Sequence, residues 1–398
     1  MKHFLFFGNH PRISLAEYRS IRTSLEAPTL IGHAALTNDP AWDGDALMRQ
    51  LGGTIKLGDI IQEIPVERCT ADALKKIVLA DRRADQVVFG MTIIGGTTKM
   101  QKDFGRFPIQ LKHLLKDEDI RSRWVTGQDS NELSPAAVSK LKLTSEGYDF
   151  VLVIHKGIVS IGLTSHVQDA DAWSERDYGR PERDDFAGML PPKLARMMVN
   201  IAGVQDGDTV LDPFCGNGTI LMETALATRA KKIIGSDLIE KQTESTKKNT
   251  EWLIREGIIK PSKLEQFDIF HADATKIAQS LEPQSINCVI TEGTLGPPLR
   301  GSESQETINA NRNEINDLWI KTLRNLLPAL KPGARLVIVW PSFKTDAGIA
   351  RVQLDEEAEE LGYRVLNPLE GWEEKNNPLI YHRQGQRVAR RIVLLEAR

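Results

Sequence analysis

The chain has 398 residues, with 51 Lys and Arg against 54 Asp and Glu and a formal charge of −3. That length exceeds what one hydrophobic core usually holds, so two or three domains are expected, and the charge balance excludes a chain coated uniformly in positive charge, leaving nucleic-acid contact to local patches. Cys69, Cys215 and Cys288 lie far apart with no CxxC or HxxxH spacing that could hold a metal, so no metal is expected and a reduced, cytoplasmic protein is.

The opening "MKHFLFFGNHPRIS" breaks at Gly8 and Pro11 with no small-residue cleavage site after it, and reads as a first strand rather than a signal peptide. No apolar run reaches the length of a membrane-spanning helix, so no membrane partner is expected. Over residues 1–165, β-branched runs such as "QVVFGMTIIGG" and "DFVLVIHKGIVSIGLTS" mix with helix-like segments such as "ADALKKIVLADR" and "FPIQLKHLLKDE", predicting an α+β region. Residues 166–190 are polar and charged with little periodicity and read as a linker, ahead of a helix beginning near Pro191 or Pro192.

Over residues 191–398 the rhythm changes. "DTVLDPF", "KKIIGSD", "FDIFHAD", "INCVIT" and "ARLVIVWP" are separated by helical segments. In the last of these, Ile315, Leu318, Trp319, Leu323, Leu326 and Leu327 form one apolar stripe that should lie on a sheet. Strands alternating with helices predict a mostly parallel, doubly wound, Rossmann-like sheet, which binds ligands at the carboxyl ends of its strands.

"TVLDPFCGNGTI" is the most informative segment. A strand ends at Asp212, a turn with Gly216 and Gly218 follows, and a helix begins near Thr219, so the backbone can approach a ligand closely. A dinucleotide fingerprint would need a third glycine where Leu221 stands, and a phosphate loop would need Gly-Lys-Ser or Gly-Lys-Thr, which is absent. A glycine turn introduced by an acid suits S-adenosylmethionine, which is cationic at its sulfonium and amino groups. Asp237 follows Asp212 by 25 positions (237 − 212), close to the spacing at which an acid accepts ribose hydroxyls. Asp273 in "FHADAT" would end a third strand and take the adenine amino group, although any one of these acids could merely cap its helix. With their neighbours Pro213, Phe214, Asn217, Thr219, Leu238 and Ala274, these are the candidate cofactor-binding residues. Cys215 reads as a small apolar filler within the turn.

With these residues in hand, the chain resembles the THUMP-domain RNA methyltransferases, most closely the tRNA guanosine N2-methyltransferases that modify position 10. "LDPFCGNGTILMETAL" resembles the family's cofactor loop, "LIYHRQGQRVARRIVLLE" its closing strand, and "SERDYGRPERDDFAGMLPPKLARMMVNIAG" the entry to its catalytic domain, where the Leu-Pro-Pro-Lys-Leu-Ala helix helps wall the cofactor pocket. More loosely, "FLFFGNHPRISLAE" and "LSPAAVSKLKLTSEGYDFVLV" resemble its N-terminal part. The resemblance implies a ferredoxin-like and THUMP-like N-terminal region that holds tRNA, a C-terminal methyltransferase domain that uses S-adenosylmethionine, and a small activating protein partner in some relatives.

The family's fourth motif reads Asp-Pro-Pro-Tyr. There a carboxylate and a backbone carbonyl orient an exocyclic amine while the aromatic ring stacks on the base. Here Glu292, Gly293 and Thr294 stand at that strand end, the proline pair is delayed to Pro297 and Pro298, and no aromatic follows. These three are the candidate catalytic residues, although Glu292 could instead cap a turn or pair with Arg300. Phe343 is a candidate stacking residue or a core residue. The basic residues Lys112, Lys116, Arg121 and Arg123, and Arg383, Arg387, Arg390 and Arg391, read as phosphate contacts or solvated faces.

The expected activity is therefore methylation of an exocyclic amine in tRNA, guanine N2 first. The competing expectation is a THUMP tRNA-binding protein that keeps the cofactor fold but is inactive or partner-dependent. An amine methyltransferase acting on DNA is a third.

Overall fold

A computed structural model describes residues 1–23, 25–127, 132–183, 189–299, 303–345, 348–372, 377–383 and 385–398. The backbone divides into two compact units, Met1–Ser14 with Leu25–Ala172, and Leu15–Ser24 with Trp173–Arg398.

The first unit is built on a sheet of β1 (His3–Phe7), β2 (Thr29–Ile31), β3 (Ala34–Thr37), β4 (Thr54–Pro65), β5 (Gln86–Gly95), β6 (Arg121–Trp124), β7 (Tyr148–His155) and β8 (Ile158–Val167), in the order β2-β3-β1-β4-β8-β7-β5-β6. In this sheet, among the described residues, only the β5–β6 and β5–β7 pairs are parallel. β7, "YDFVLVIH", is a near-continuous apolar run because both its faces are covered. The helices Ala71–Ala80 and Phe107–Lys116 bury Leu74 and Val78, and Phe107, Leu111 and Leu115, at helical spacing in one core with Phe89 and Phe150. Lys56, fully buried, donates to Asp149 at 3.0 Å, and Thr164 donates to the same carboxylate oxygen at 2.7 Å. That compensation is what a charge inside a sheet requires.

The second unit is a twisted sheet of β9 (Thr209–Asp212), β10 (Lys232–Asp237), β11 (Phe267–His271), β12 (Ile286–Thr291), β13 (Leu330–Thr345), β14 (Gly348–Arg351), β15 (Tyr363–Leu366), β16 (Leu379–Tyr381) and β17 (Val388–Ala397). The order is β11-β10-β9-β12-β13-β17-β15, with β14 on β13 and β16 on β17. The run from β11 to β13 is parallel throughout, whereas β17 is antiparallel to β13 and β15. Strand order reverses between β9 and β12, and a doubly wound sheet opens a crevice at such a reversal.

The helix Gln305–Leu326 buries Ile308, Ile315, Trp319, Leu323 and Leu326 against this sheet, much as the stripe predicts; Leu318 and Leu327 are half-buried. Phe343 is 1% exposed in the same core as Trp319 and Trp340, so it is a core residue and not an available stacking platform. β8 extends to Val167, and a short helix Ala170–Ser174 follows. Trp173, Arg176 and Arg180 are buried, although the stretch 166–190 reads as a polar linker.

Glu223 gives the physical reason for burying Arg176. Its carboxylate, 1% exposed, takes Arg176 at 2.8 Å and Arg196 at 2.7 Å, and both guanidinium groups lie near the Trp173 ring, at 4.1 and 5.5 Å. No local periodicity encodes a pairing between residues so far apart in sequence.

Candidate active site

β9 carries Val210 and Leu211 into the core and ends at Asp212. The chain then turns through Gly216 (φ +51°) and Gly218 (φ +80°), the second of which caps the helix Thr219–Ala227. A Cβ on Gly218 would lie 2.7 Å from Thr246 Cγ2, so the turn needs glycine there both for its backbone angle and for the approach of the helix Glu240–Arg255. That helix fixes the turn from behind: Thr246 Oγ1 donates to the Gly216 carbonyl at 2.6 Å and Asn249 Nδ2 to the Asn217 carbonyl at 2.8 Å. From the neighbouring strand, Asp237 accepts the amide N–H of Gly216 at 3.0 Å and that of Ile239 at 2.9 Å.

A cavity of about 340 Å³ opens at this edge. Among the predicted residues, Asp212, Phe214, Gly216, Asn217, Thr219, Asp237, Glu292, Gly293 and Thr294 line it. Pro213, Gly218, Leu238, Asp273 and Ala274 do not. Leu238 is exposed and Ala274 buried. β11 ends at His271, two residues short of Asp273, and Asp273 Oδ1 caps the following short helix by accepting Thr275 N at 2.9 Å and Thr275 Oγ1 at 2.7 Å. Those two hydrogen bonds hold the Asp273 carboxyl below its usual range. The orphan N–H groups of a helix start have claimed this acid.

Sequence reasoning missed Ile239, Gln242, Leu295 and Gly296 in the lining. Met189 and Leu190 also line it, directly before the helix Pro192–Ala202. Cys215 is buried and also lines the cavity, its thiol pushed up by burial first and then by Asp212.

Three carboxylates converge on the cavity. Asp212 is 2% exposed, and its pKa is pushed up to about 7 by burial, with the charges of Asp237 and Glu292 adding and the Phe214 N–H at 3.1 Å opposing. Glu292 is raised by burial against the opposing pull of Arg390 and Arg383. Its Oε1 accepts a hydrogen bond from Arg390 Nε. Arg390 is thus neither a phosphate contact nor a solvated residue, and Arg391 is likewise engaged, pairing through two 2.7 Å bonds with Asp355. Arg300, the other partner considered for Glu292, lies outside the described residues.

Gly293 explains why the strand end departs from Asp-Pro-Pro-Tyr. Its φ is +66°, which proline cannot adopt, and a Cβ there would meet Trp319 Cζ2 at 2.6 Å. The departure is therefore a change of backbone path as well as of side chains. Gly293→Ala is expected to lower the stability of the second unit by about 1–3 kcal/mol, measured by thermal unfolding; an unchanged midpoint would contradict the close packing on Trp319.

The parallel order, the reversal between β9 and β12 and the acid-lined glycine turn define a Rossmann-like methyltransferase fold. The crystal structure of TrmN from Thermus thermophilus shares it, with a TM-score of 0.55 at 16% identity over 100% of both chains. So does a possible methylase from Clostridium difficile 630, with a TM-score of 0.51 at 14% identity over 98% of this chain and 97% of that one.

Within that class, residues 180–292 match the family described as "RMKL-like, methyltransferase domain". A tRNA (guanine(10)-N2)-dimethyltransferase of Methanothermobacter thermautotrophicus is 34% identical over 119 residues, 29% of this chain and 31% of the relative. One of the same name from Methanocaldococcus jannaschii is 31% identical over 214 residues, 52% of each chain. The chain thus spans about half or less of the length of these two relatives. Over those stretches they bear out the resemblance to tRNA guanosine N2-methyltransferases read from the sequence, but not its THUMP part.

Proposed function

We propose that the chain is an S-adenosylmethionine-dependent RNA methyltransferase that acts on an exocyclic amine of tRNA, guanine N2 first. The observation that carries this reading is the meeting in one cavity of the glycine turn after β9 with the Glu292 carboxylate at the end of β12. The residues present fit the cofactor: the cavity is acidic, the ligand cationic, and a Cβ at Gly216 would meet nothing within 4 Å, so a ligand can lie against that backbone.

Bound there, S-adenosylmethionine supplies an electrophilic methyl group on a cationic sulfur. Asp212 and the turn at Gly216 and Asn217 would hold its amino-acid end, and Asp237 its ribose. Glu292 would accept one N–H of the substrate amine and the Gly293 carbonyl the other, orienting the nitrogen for attack, and Glu292 would be placed to take the proton the amine loses. Positioning carries most of the rate.

Lys112, Lys116, Arg121 and Arg123 are all exposed on the first unit, on the helix Phe107–Lys116 and on β6. A THUMP-like region would meet the tRNA backbone through such residues. A cytoplasmic location suits this substrate, and among the described residues no helix is long and apolar enough to cross a membrane.

Transfer of label from radiolabelled S-adenosylmethionine to bulk tRNA, followed by nucleoside analysis, tests the reading. Labelled N2-methylguanosine supports it, a different labelled nucleoside redirects the substrate, and cofactor binding without transfer favours a tRNA-binding protein or an enzyme lacking its partner.

The raised Asp212 pKa has a sign that can be checked. Its contribution to folding stability is fully present below the ordinary value of 3.8 and is lost as pH rises through about 7. A cationic ligand prefers the ionised acid, so affinity for S-adenosylmethionine is expected to rise across roughly pH 6 to 8 with proton release. Calorimetric titrations should show this in the natural protein and a flat profile in Asp212→Asn. A pH-independent affinity in the natural protein would remove Asp212 from the cofactor site.

A further inference from the structure

Arg390 is 2% exposed on β17, where it lies opposite Pro341 of β13 and Tyr381 of β16. On the other side of β13, Ile338 pairs with Thr291, the last residue of β12. The guanidinium therefore spans β13 to reach Glu292, the next residue, and binds its Oε1. Among the described residues, Oε2 of Glu292 has no hydrogen-bond partner, although the side chain is only 16% exposed and lines the cavity. Arg390 thus engages one oxygen of the carboxylate and leaves the second to another partner. Arg391, one residue on, makes a bidentate pair with Asp355.

We propose that Arg390 is a positioning residue: by holding Oε1 of Glu292 it presents Oε2 to the cavity as the one carboxylate acceptor for the substrate amine. This inference rests on the function proposed above. It also suits glutamate in place of aspartate at this strand end, since the additional methylene carries the carboxylate across β13 toward Arg390.

The charged groups acting on Glu292 are Arg390 on β17, Arg383 just beyond β16, and the Asp212 carboxylate at the end of β9. Arg383 is oriented by Tyr381, whose hydroxyl accepts its Nε–H at 3.1 Å. Burial disfavours the Glu292 anion and the two arginines favour it, so removal of Arg390 should carry the acid to a still higher pKa.

The test compares Arg390→Gln and Arg390→Lys in the full chain. It reads methyl transfer to tRNA against pH, cofactor affinity, the thermal midpoint, and the titration of Glu292 by carbon-13 NMR. In Arg390→Gln, kcat is expected to fall about 100-fold at neutral pH, with the acid limb of the profile displaced to higher pH and cofactor affinity within about twofold of the natural protein. Arg390→Lys should recover most of the rate and return the limb toward its natural position.

An acid limb that stays in place, or equal losses at every pH that Lys does not rescue, would overturn the proposal in favour of a structural role. A natural protein that transfers no methyl group to tRNA would sink the function reading instead. In that event the Glu292 titration still decides whether Arg390 holds the carboxylate: a pKa that rises in Arg390→Gln supports the holding role, and an unchanged one ends it.

Discussion

Glu292→Gln is expected to cut methyl transfer to tRNA by about 100- to 1000-fold, the loss seen when one preorganised polar contact to a reacting group is removed, while S-adenosylmethionine still binds. The amide keeps the shape of the carboxylate but loses its charge. It also replaces the charged acceptor of the Arg390 Nε–H with a neutral one, because Oε1 of Glu292 is that acceptor. Cofactor affinity should be nearly unchanged, since the glycine turn is held from other elements, by Thr246, Asn249 and Asp237. Single-turnover transfer from radiolabelled cofactor, run beside a calorimetric binding titration, separates the two effects. Full activity in Glu292→Gln would mean that the amine is oriented by some other group and would undo the assignment of this strand end as the catalytic element.

The largest stability effect is expected at Glu223, away from the reacting centre. Glu223→Ala would leave Arg176 and Arg196 buried without their shared anion, a change that costs about 3–5 kcal/mol. For a unit of this size that corresponds to a fall in the thermal midpoint of roughly 6–20 °C. Glu223→Gln, which keeps an acceptor and the side-chain volume, should lose less. Differential scanning calorimetry of the full chain decides the matter, and a drop of less than about 2 °C for Glu223→Ala would show that water or relaxation compensates the two arginines. Because Glu223 lies on the helix Thr219–Ala227, which starts at the glycine turn, partial loss of this cluster should also weaken cofactor binding.

The architecture of the second unit and the place of its candidate site are legible in local sequence. Strand and helix periodicities are local, so alternating segments from "DTVLDPF" to "ARLVIVWP" declare a parallel sheet, and the stripe through Ile315, Trp319 and Leu323 declares which face of its helix is covered. Asp212, Gly216, Gly218 and Asp237 were legible because a tight turn after a strand restricts residue type at fixed short spacing. Glu292 was legible as an acid at a strand end.

What each acid contacts depends on the tertiary structure. Asp273, the same residue type in a similar local setting, caps a short helix by accepting the Thr275 amide N–H. Glu292 is tied to Arg390, 98 residues further on, across an intervening strand, and Gly293 takes its unusual backbone angle under Trp319 of a later helix. The charged stretch from Trp173 to Arg180 reads as a linker until Glu223 supplies the buried anion for Arg176. Composition and periodicity record only which face of a segment leaves water. The partner of a buried charge is set by where distant strands bring their side chains, and that partner determines whether an acid is a cap, a structural anion or an acceptor facing a cavity.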